Sequence, residues 1–98
     1  QRKQYTWRAL CLDPEARSVT LHGQRVALTQ LEFDLLALLL AHPRQVFTRA
    51  HLLQSVWGYD FLGEEKAVNI HIMNLRRKLG REIIETVRGV GYRLGDET

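Results

Sequence analysis

Residues 66–79 read KAVNIHIMNLRRKL, and the spacing of the apolar side chains in this stretch decides the fold. On a helical wheel of 100° per residue, a seam of about 60° collects Val68, Ile72, Leu75 and Leu79. Glu64 and Glu65 precede the stretch, and acidic side chains favour the positive N-terminal end of a helix. Gly80 follows it and favours a helix end. The sequence therefore predicts an amphipathic helix over about residues 64–79, with its seam facing a core.

The opposite face of this helix combines positive charge, an amide and apolar side chains. It carries Lys66, Ile70, Met73, Asn74, Arg77 and, one turn further, Arg81. A solvated helix face is one interpretation, but such faces rarely place Ile and Met among charges. A helix in the major groove of DNA needs this mixture: Lys and Arg meet phosphates or guanine, Asn pairs with adenine, and apolar groups meet thymine methyls. We therefore favour a DNA-recognition helix.

A β-hairpin is predicted after the helix. Residues 83–88 favour a strand, residues 89–91 read Gly-Val-Gly and favour a turn, and residues 92–94 form the return strand. Arg88 then lies at the tip, where it can enter a narrow and strongly negative minor groove beside the helix. A surface arginine on an ordinary turn is the alternative. Tyr92 is expected to be half core and half phosphate donor.

Three short strands are predicted near the start of the chain. Alternating apolar residues place them over residues 8–12, 18–21 and 25–28, with turn signals between them. Strands this short and this closely spaced form an antiparallel meander. The apolar face of such a meander needs a helix to cover it.

Two helices are predicted between the meander and the recognition helix. Thr29 and Glu32 form a capping box, and the helix that they start runs to about Ala41. Because this helix is apolar over much of its circumference, it is expected to lie at the centre of the core. Thr48 can cap a second helix over residues 49–57, which gives a helix–turn–helix arrangement with a long turn.

The charge of the chain is unevenly distributed. The 98 residues are 45% hydrophobic and 26% charged, which is ordinary for one globular domain, and the net charge is +3. Residues 1–65 are neutral overall, whereas residues 66–93 carry a net charge of +5. This asymmetry predicts a polyanionic partner for the last third of the chain.

Several function classes receive no support from the sequence. The longest apolar run, residues 35–41, is far shorter than the roughly 20 residues of a membrane span. The single cysteine, Cys11, cannot form an internal disulfide, so a cytoplasmic protein is expected. The four histidines lack metal-ligand spacing, and no nucleotide-binding loop or nucleophile motif is present. We therefore predict no enzyme activity, no metal and no cofactor.

The motifs described above resemble those of one protein family. Residues 68–79, together with the sequence TVRGVGYR at 86–93, are similar to the signature of the OmpR/PhoB family. Its members are the DNA-binding effector domains of bacterial two-component response regulators. Residues 28–32 and 53–58 match earlier motifs of the family, and the resemblance spans about residues 5–94. It implies an α+β, winged helix–turn–helix fold with an N-terminal four-stranded antiparallel sheet, three helices and a C-terminal β-hairpin wing.

The resemblance also implies how the domain works. Residues 1–4 are expected to be the end of an interdomain linker and residues 5–98 the effector domain, with the receiver domain of the phosphorelay absent from this chain. The domain is expected to bind direct repeats in promoter double-stranded DNA and to regulate transcription. It is expected to be a monomer in isolation and a homodimer on DNA, in the bacterial cytoplasm, with no membrane partner.

Matching positions imply three groups of functional residues. Those close to DNA bases are Lys66, Ala67, Ile70, Met73, Asn74 and, in the minor groove, Arg88. Those that hold DNA phosphates are Trp57, His71, Arg76, Arg77, Thr86 and Tyr92. The loop through which some members contact RNA polymerase is matched by Gly58, Tyr59, Asp60, Phe61, Leu62, Gly63 and Glu64. The chain departs from the family pattern where Met73 and Asn74 replace arginines of some members. The link over residues 80–82 is also shorter than in many members, which is expected to alter the angle of the wing.

Two other functions are compatible with the sequence. A winged-helix protein-interaction module would use the exposed Ile70 and Met73, or the apolar side chains of the loop over residues 58–64. Its binding would not weaken with salt, whereas DNA binding would. An RNA-binding domain is the third hypothesis, although no aromatic motif for single-stranded RNA is present.

Overall fold

The structure is a computed structural model that describes residues 4–57 and 66–96. The strands within these ranges are β1 (Tyr5–Trp7), β2 (Leu10–Asp13), β3 (Ser18–Leu21), β4 (Gln24–Arg25), β5 (Phe47–Thr48), β6 (Ile84–Val87) and β7 (Gly91–Leu94). The helices are α1 (Gln30–Ala41), α2 (Arg49–Trp57) and α3 (Lys66–Leu79). None of these helices has both the length and the hydrophobicity that crossing a membrane requires.

Strands β1 to β4 form an antiparallel sheet in chain order. The strand predicted over residues 18–21 is confirmed. The strand predicted over 8–12 is wrong at its start, because Arg8 has a φ of 51° and lies in the turn between β1 and β2. The strand predicted over 25–28 is wrong in its extent, because β4 covers only Gln24–Arg25 and the chain then continues to the N-terminal cap of α1.

Helix α1 lies at the centre of the molecule, as its apolar circumference predicts. It packs against β1, β7, α2 and α3. Its buried apolar side chains are Phe33, Leu35, Leu36, Leu39 and Leu40. The predicted capping box is confirmed, because the Glu32 amide donates to Thr29 Oγ1 at 3.2 Å and the Thr29 amide donates to Glu32 Oε1 at 3.0 Å.

Helix α2 begins at the predicted cap, where the His51 amide donates to Thr48 Oγ1 at 3.0 Å. The strand just before it, β5, is absent from the sequence prediction. It pairs with β7 so that Phe47 lies opposite Tyr92. Strands β5, β7 and β6 form the second sheet in that order. The segment between α1 and α2 is therefore joined to the C-terminal hairpin by backbone pairing as well as through the core.

Helix α3 ends where the sequence predicts, and so Arg81 does not lie on its outer face as expected. Gly80 has a φ of 108°, which ends the α-helical path, and Arg81–Ile83 form a 3₁₀ helix. The strand predicted over 83–88 is shortened at both ends, because Ile83 belongs to the 3₁₀ helix and Arg88 belongs to the turn that follows β6.

Contacts between the two ends of the chain close the domain. Trp7 Nε1 donates to the carbonyl oxygen of Gly95 at 2.8 Å, and Arg8 Nη2 donates to that of Asp96 at 2.9 Å. Arg8 also forms an ion pair with Glu82. A four-stranded sheet, three helices and a terminal hairpin thus follow one another, and the predicted α+β winged helix–turn–helix architecture is confirmed.

Candidate nucleic-acid interface

Helix α3 has the two faces that its sequence predicts. The seam is buried in the core, at Val68, Ile72, Leu75 and Leu79. On the other side, the side chains of Ile70 and Met73 are 59% and 67% exposed. Neighbouring apolar side chains exposed together and surrounded by polar residues are typical of an interaction site. The outer face of α3 is therefore the first candidate for a binding surface.

Positive charge surrounds these apolar side chains. Lys66 and Arg77 are exposed at the two ends of the same helix, while Ala67 and Asn74 are half-buried at its margins. Within residues 4–57 and 66–96, the basic side chains that form ion pairs are those of Arg8, Arg17, Lys78 and Arg93. No partner among those residues neutralises Lys66 or Arg77. The charge of this face is thus available to an external anion.

The wing places a further arginine beside α3. Arg88 is exposed in the turn between β6 and β7, where Gly89 has a φ of 75°. The turn closes through a hydrogen bond from the Val90 amide to the Val87 carbonyl oxygen at 3.0 Å. Val90 is 50% exposed, and sequence reasoning did not single it out. An apolar residue between two glycines at a hairpin tip is the signal that could have found it.

A hydrogen-bonded junction joins the wing to α3. The Tyr92 hydroxyl donates to Asn69 Oδ1 at 2.6 Å. Arg76 donates from Nε and Nη2 to the Ile84 carbonyl oxygen, at 3.2 and 2.8 Å. Arg76 Nη2 also donates to Thr86 Oγ1 at 2.8 Å. Three residues predicted to hold phosphates, Arg76, Thr86 and Tyr92, are thus bonded within the protein.

Asn69 is the member of this junction that sequence reasoning missed. The signal was present, because Asn69 and Arg76 lie about 20° apart on the wheel and two helical turns apart along it. Two polar side chains at such a spacing, between the apolar seam and the outer face, indicate a polar contact with a neighbouring element. The sequence could not identify the wing as that element.

A buried carboxylate fixes the other side of α3. Glu32 of α1 is only 2% exposed, and Lys78 Nζ lies 2.6 Å from its Oε1. Burial alone would raise the pKa of Glu32, but the hydrogen bonds from Lys78 and the Thr29 amide, together with the electrostatic influence of Lys78 and His71, hold it below its usual value. His71, predicted to hold a phosphate, is half-buried on this side of the helix. Lys78 therefore anchors α3 to α1 and adds nothing to the outer face.

The side chain of Trp57 and the loop over residues 58–64 lie outside the described residues, as do Glu64 and Glu65 at the predicted start of α3. In the ranges that are described, no three His, Cys, Asp or Glu side chains come together as a metal site would require.

Known proteins share both the sequence and the fold of this chain. The family model described as "Transcriptional regulatory protein, C terminal" matches residues 23–94. Over 89 residues the chain is 46% identical to the DNA-binding response regulator MtrA of Mycobacterium tuberculosis, an alignment that covers 86% of this chain and 39% of MtrA. The chain thus spans about two fifths of the length of that relative.

Two solved structures share the fold. The DNA-binding domain of CpxR from E. coli superposes with a TM-score of 0.86 at 38% identity, covering 98% of this chain and 99% of that one. The Klebsiella pneumoniae RstA DNA-binding domain, solved in complex with the RstA box, superposes with a TM-score of 0.84 at 35% identity. That comparison covers 95% of this chain and 97% of the RstA domain.

Proposed function

Since the chain belongs to the family of transcriptional regulatory protein C-terminal domains, the OmpR/PhoB type, we propose that it binds specific promoter sequences in double-stranded DNA. It would do so as the output domain of a two-component response regulator. One observation carries the proposal: Ile70 and Met73 are exposed between the charges of Lys66 and Arg77 on a single helix face. The relative MtrA is named a DNA-binding response regulator, and the RstA domain was solved with its DNA box.

In this proposal α3 lies in the major groove, whose width admits one α-helix. Ile70 and Met73 meet thymine methyl groups, and Asn74 pairs with an adenine edge. Lys66 and Ala67 approach bases at the N-terminal end of the helix, while Arg77 reaches a phosphate. Because Met73 and Asn74 stand where some members have arginine, apolar contacts and DNA shape carry more of the specificity here.

The wing reaches the adjacent minor groove through Arg88. A narrow minor groove over A·T pairs concentrates negative potential, which attracts an inserted guanidinium. The exposure of Arg88 and its position at the tip of the hairpin support this role. Phosphate contacts by Trp57, His71 and Thr86 belong to the same proposal, whereas the Tyr92 hydroxyl is bonded to Asn69.

The partners of the whole regulator extend the proposal. Two copies of the domain would occupy direct repeats, and the loop over residues 58–64 would contact RNA polymerase. A phosphorylated receiver domain in the cytoplasm would control both steps. Support for these points comes from family membership, and none of them requires catalysis by this chain.

Selection from a random duplex pool tests the proposal directly. The immobilised domain is mixed with duplexes that contain a random central segment, and bound sequences are enriched over several rounds. The expected result is a repeated motif with a constant half-site spacing. Enrichment of no motif, at low as well as moderate salt, would contradict sequence-specific binding.

A protein-interaction module is the second candidate, because the same exposed Ile70 and Met73 are compatible with an apolar partner surface. Salt separates the two functions. Affinity for DNA falls steeply as the salt concentration rises, because the release of counterions from the phosphates then becomes less favourable. An apolar contact is insensitive to salt or becomes stronger.

A further inference from the structure

The junction between α3 and the wing holds each strand of the hairpin at a different turn of the helix. Asn69 binds Tyr92 on β7, and Arg76 binds Ile84 and Thr86 on β6. The two helix residues are seven positions apart, which is about 10 Å along the axis. Two separated contacts resist rotation of the hairpin, whereas one contact would act as a pivot.

The hairpin is packed into the core at its base but not at its tip. Its base is anchored by apolar side chains, because Ile84 and Leu94 are 2% and 3% exposed. Its tip has no such anchor, since Val90 is 50% exposed and Arg88 and Gly89 are exposed too. Asn69 acts between these two regions, through Tyr92. It therefore adds a side-chain contact to β7 beside the backbone pairing of β7 with β5.

Cross-strand pairing transmits the contact towards Arg88. Tyr92 pairs with Thr86 across the hairpin, and the next pair, Val87 with Gly91, directly precedes the turn that carries Arg88. The Arg76 guanidinium carbon also lies 5.8 Å from the centroid of the Tyr92 ring. The two contacts of the junction thus meet at one cross-strand pair.

We propose that Asn69 is a positioning residue that sets the angle between α3 and the wing, so that the helix and Arg88 reach adjacent grooves of one duplex together. The inference rests on the proposed DNA binding. Asn69 itself is half-buried and does not belong to the exposed face of α3. It acts through Tyr92 and Arg88, and the Tyr92 hydroxyl serves this contact in preference to a phosphate.

A double-mutant cycle tests the proposal on a duplex selected by the wild-type domain. Asn69→Leu removes the acceptor at similar volume, and its binding should weaken about three- to tenfold, the effect of one hydrogen bond. In an Arg88→Ala background the same change should weaken binding less than twofold, because the group that Asn69 positions is gone. Equal losses in both backgrounds would overturn the proposal.

Matched variants separate positioning from stability. Asn69→Asp keeps an acceptor for the Tyr92 hydroxyl and should retain binding within about twofold of wild type. Tyr92→Phe removes the same hydrogen bond and keeps the ring, so it should reproduce the loss and its dependence on Arg88. It also carries the test if Asn69→Leu fails to fold. Thr6→Ala, at an exposed position of β1, is the neutral control.

The outcomes distinguish this inference from the function on which it rests. If the wild-type domain enriches no motif, the proposed DNA binding fails. If the wild-type domain binds its motif but Asn69→Asp loses as much affinity as Asn69→Leu, DNA binding stands and the positioning role of Asn69 is wrong.

Discussion

Gly91 is a residue at which the wing lies directly against the backbone of β5. A Cβ atom built there would lie 1.9 Å from the Phe47 carbonyl oxygen, far inside any permitted contact. The neighbouring atoms belong to the backbone of β5, which cannot move away without losing its pairing with β7. The glycine is thus required by close packing of two strands.

Gly91→Ala is expected to lower the free energy of unfolding by about 3 kcal/mol, because β5 and β7 must separate. Gly89→Ala is the matched control. Its Cβ would meet nothing within 4 Å, and only its φ of 75° disfavours alanine, at a cost of about 1–2 kcal/mol. Urea denaturation of both variants measures the difference. A loss at Gly91 no larger than that at Gly89 would contradict the steric explanation.

Arg88 carries the proposed contact with the minor groove. Arg88→Ala should cost about 1–3 kcal/mol of binding free energy on the selected duplex at fixed salt. Arg88→Lys keeps the charge and loses the planar guanidinium, so it should recover only part of the affinity. Fluorescence anisotropy with a labelled duplex measures both. Full recovery by lysine would mean that Arg88 contributes charge without recognising the groove.

At the scale of the elements, the helices were largely predictable because their signals are local. The capping box of α1 lies within four consecutive residues, and the buried seam of α3 repeats with the helical period. Strand β5 carries no such signal, because its two residues become a strand only by pairing with β7. The contact between Asn69 and Tyr92 joins residues 23 positions apart, which periodicity cannot detect. The missed features are therefore those that depend on tertiary pairing.

The attachment of α3 to α1 depends on the ion pair between Lys78 and Glu32. Glu32→Gln keeps a side chain that can complete the capping box, so it tests the ion pair alone. At pH 7 the substitution should lower the free energy of unfolding by about 1–3 kcal/mol, because a buried carboxylate hydrogen-bonded to Lys78 is lost.

The same variant predicts a pH dependence of definite sign. The pKa of Glu32 is lower in the folded protein than its usual 4.5, so the folded state binds this proton less readily than the unfolded chain does. The stabilisation is complete above the usual pKa and is lost as pH falls through the lower pKa of the folded state. The gap in unfolding free energy between wild type and Glu32→Gln should therefore narrow below about pH 4.5. A gap that stays constant down to pH 3 would contradict the assigned role of the carboxylate.

At the scale of the whole molecule, the fold separates charge that is used internally from charge that is presented outward. Arg17 pairs with Asp34 at 2.9 Å and stacks on the Phe33 ring, 4.3 Å from its centroid. Arg77, in contrast, lies exposed on the outer face of α3. The two arginines contribute equally to the net charge of +3, yet only Arg77 belongs to the proposed DNA surface.

This separation predicts how salt affects binding. The logarithm of the association constant should fall linearly with the logarithm of salt concentration, by about 0.9 for each phosphate neutralised. Arg77→Ala should reduce the magnitude of that slope by about 1 and weaken binding to selected and random duplexes alike, since a phosphate contact carries no sequence information. Arg17→Ala removes the same formal charge from the paired side of the domain and should leave the slope unchanged. If both variants reduced the slope equally, the net charge of the domain and not its distribution would govern binding. The salt dependence would then contradict the assignment of α3 as the DNA-binding surface.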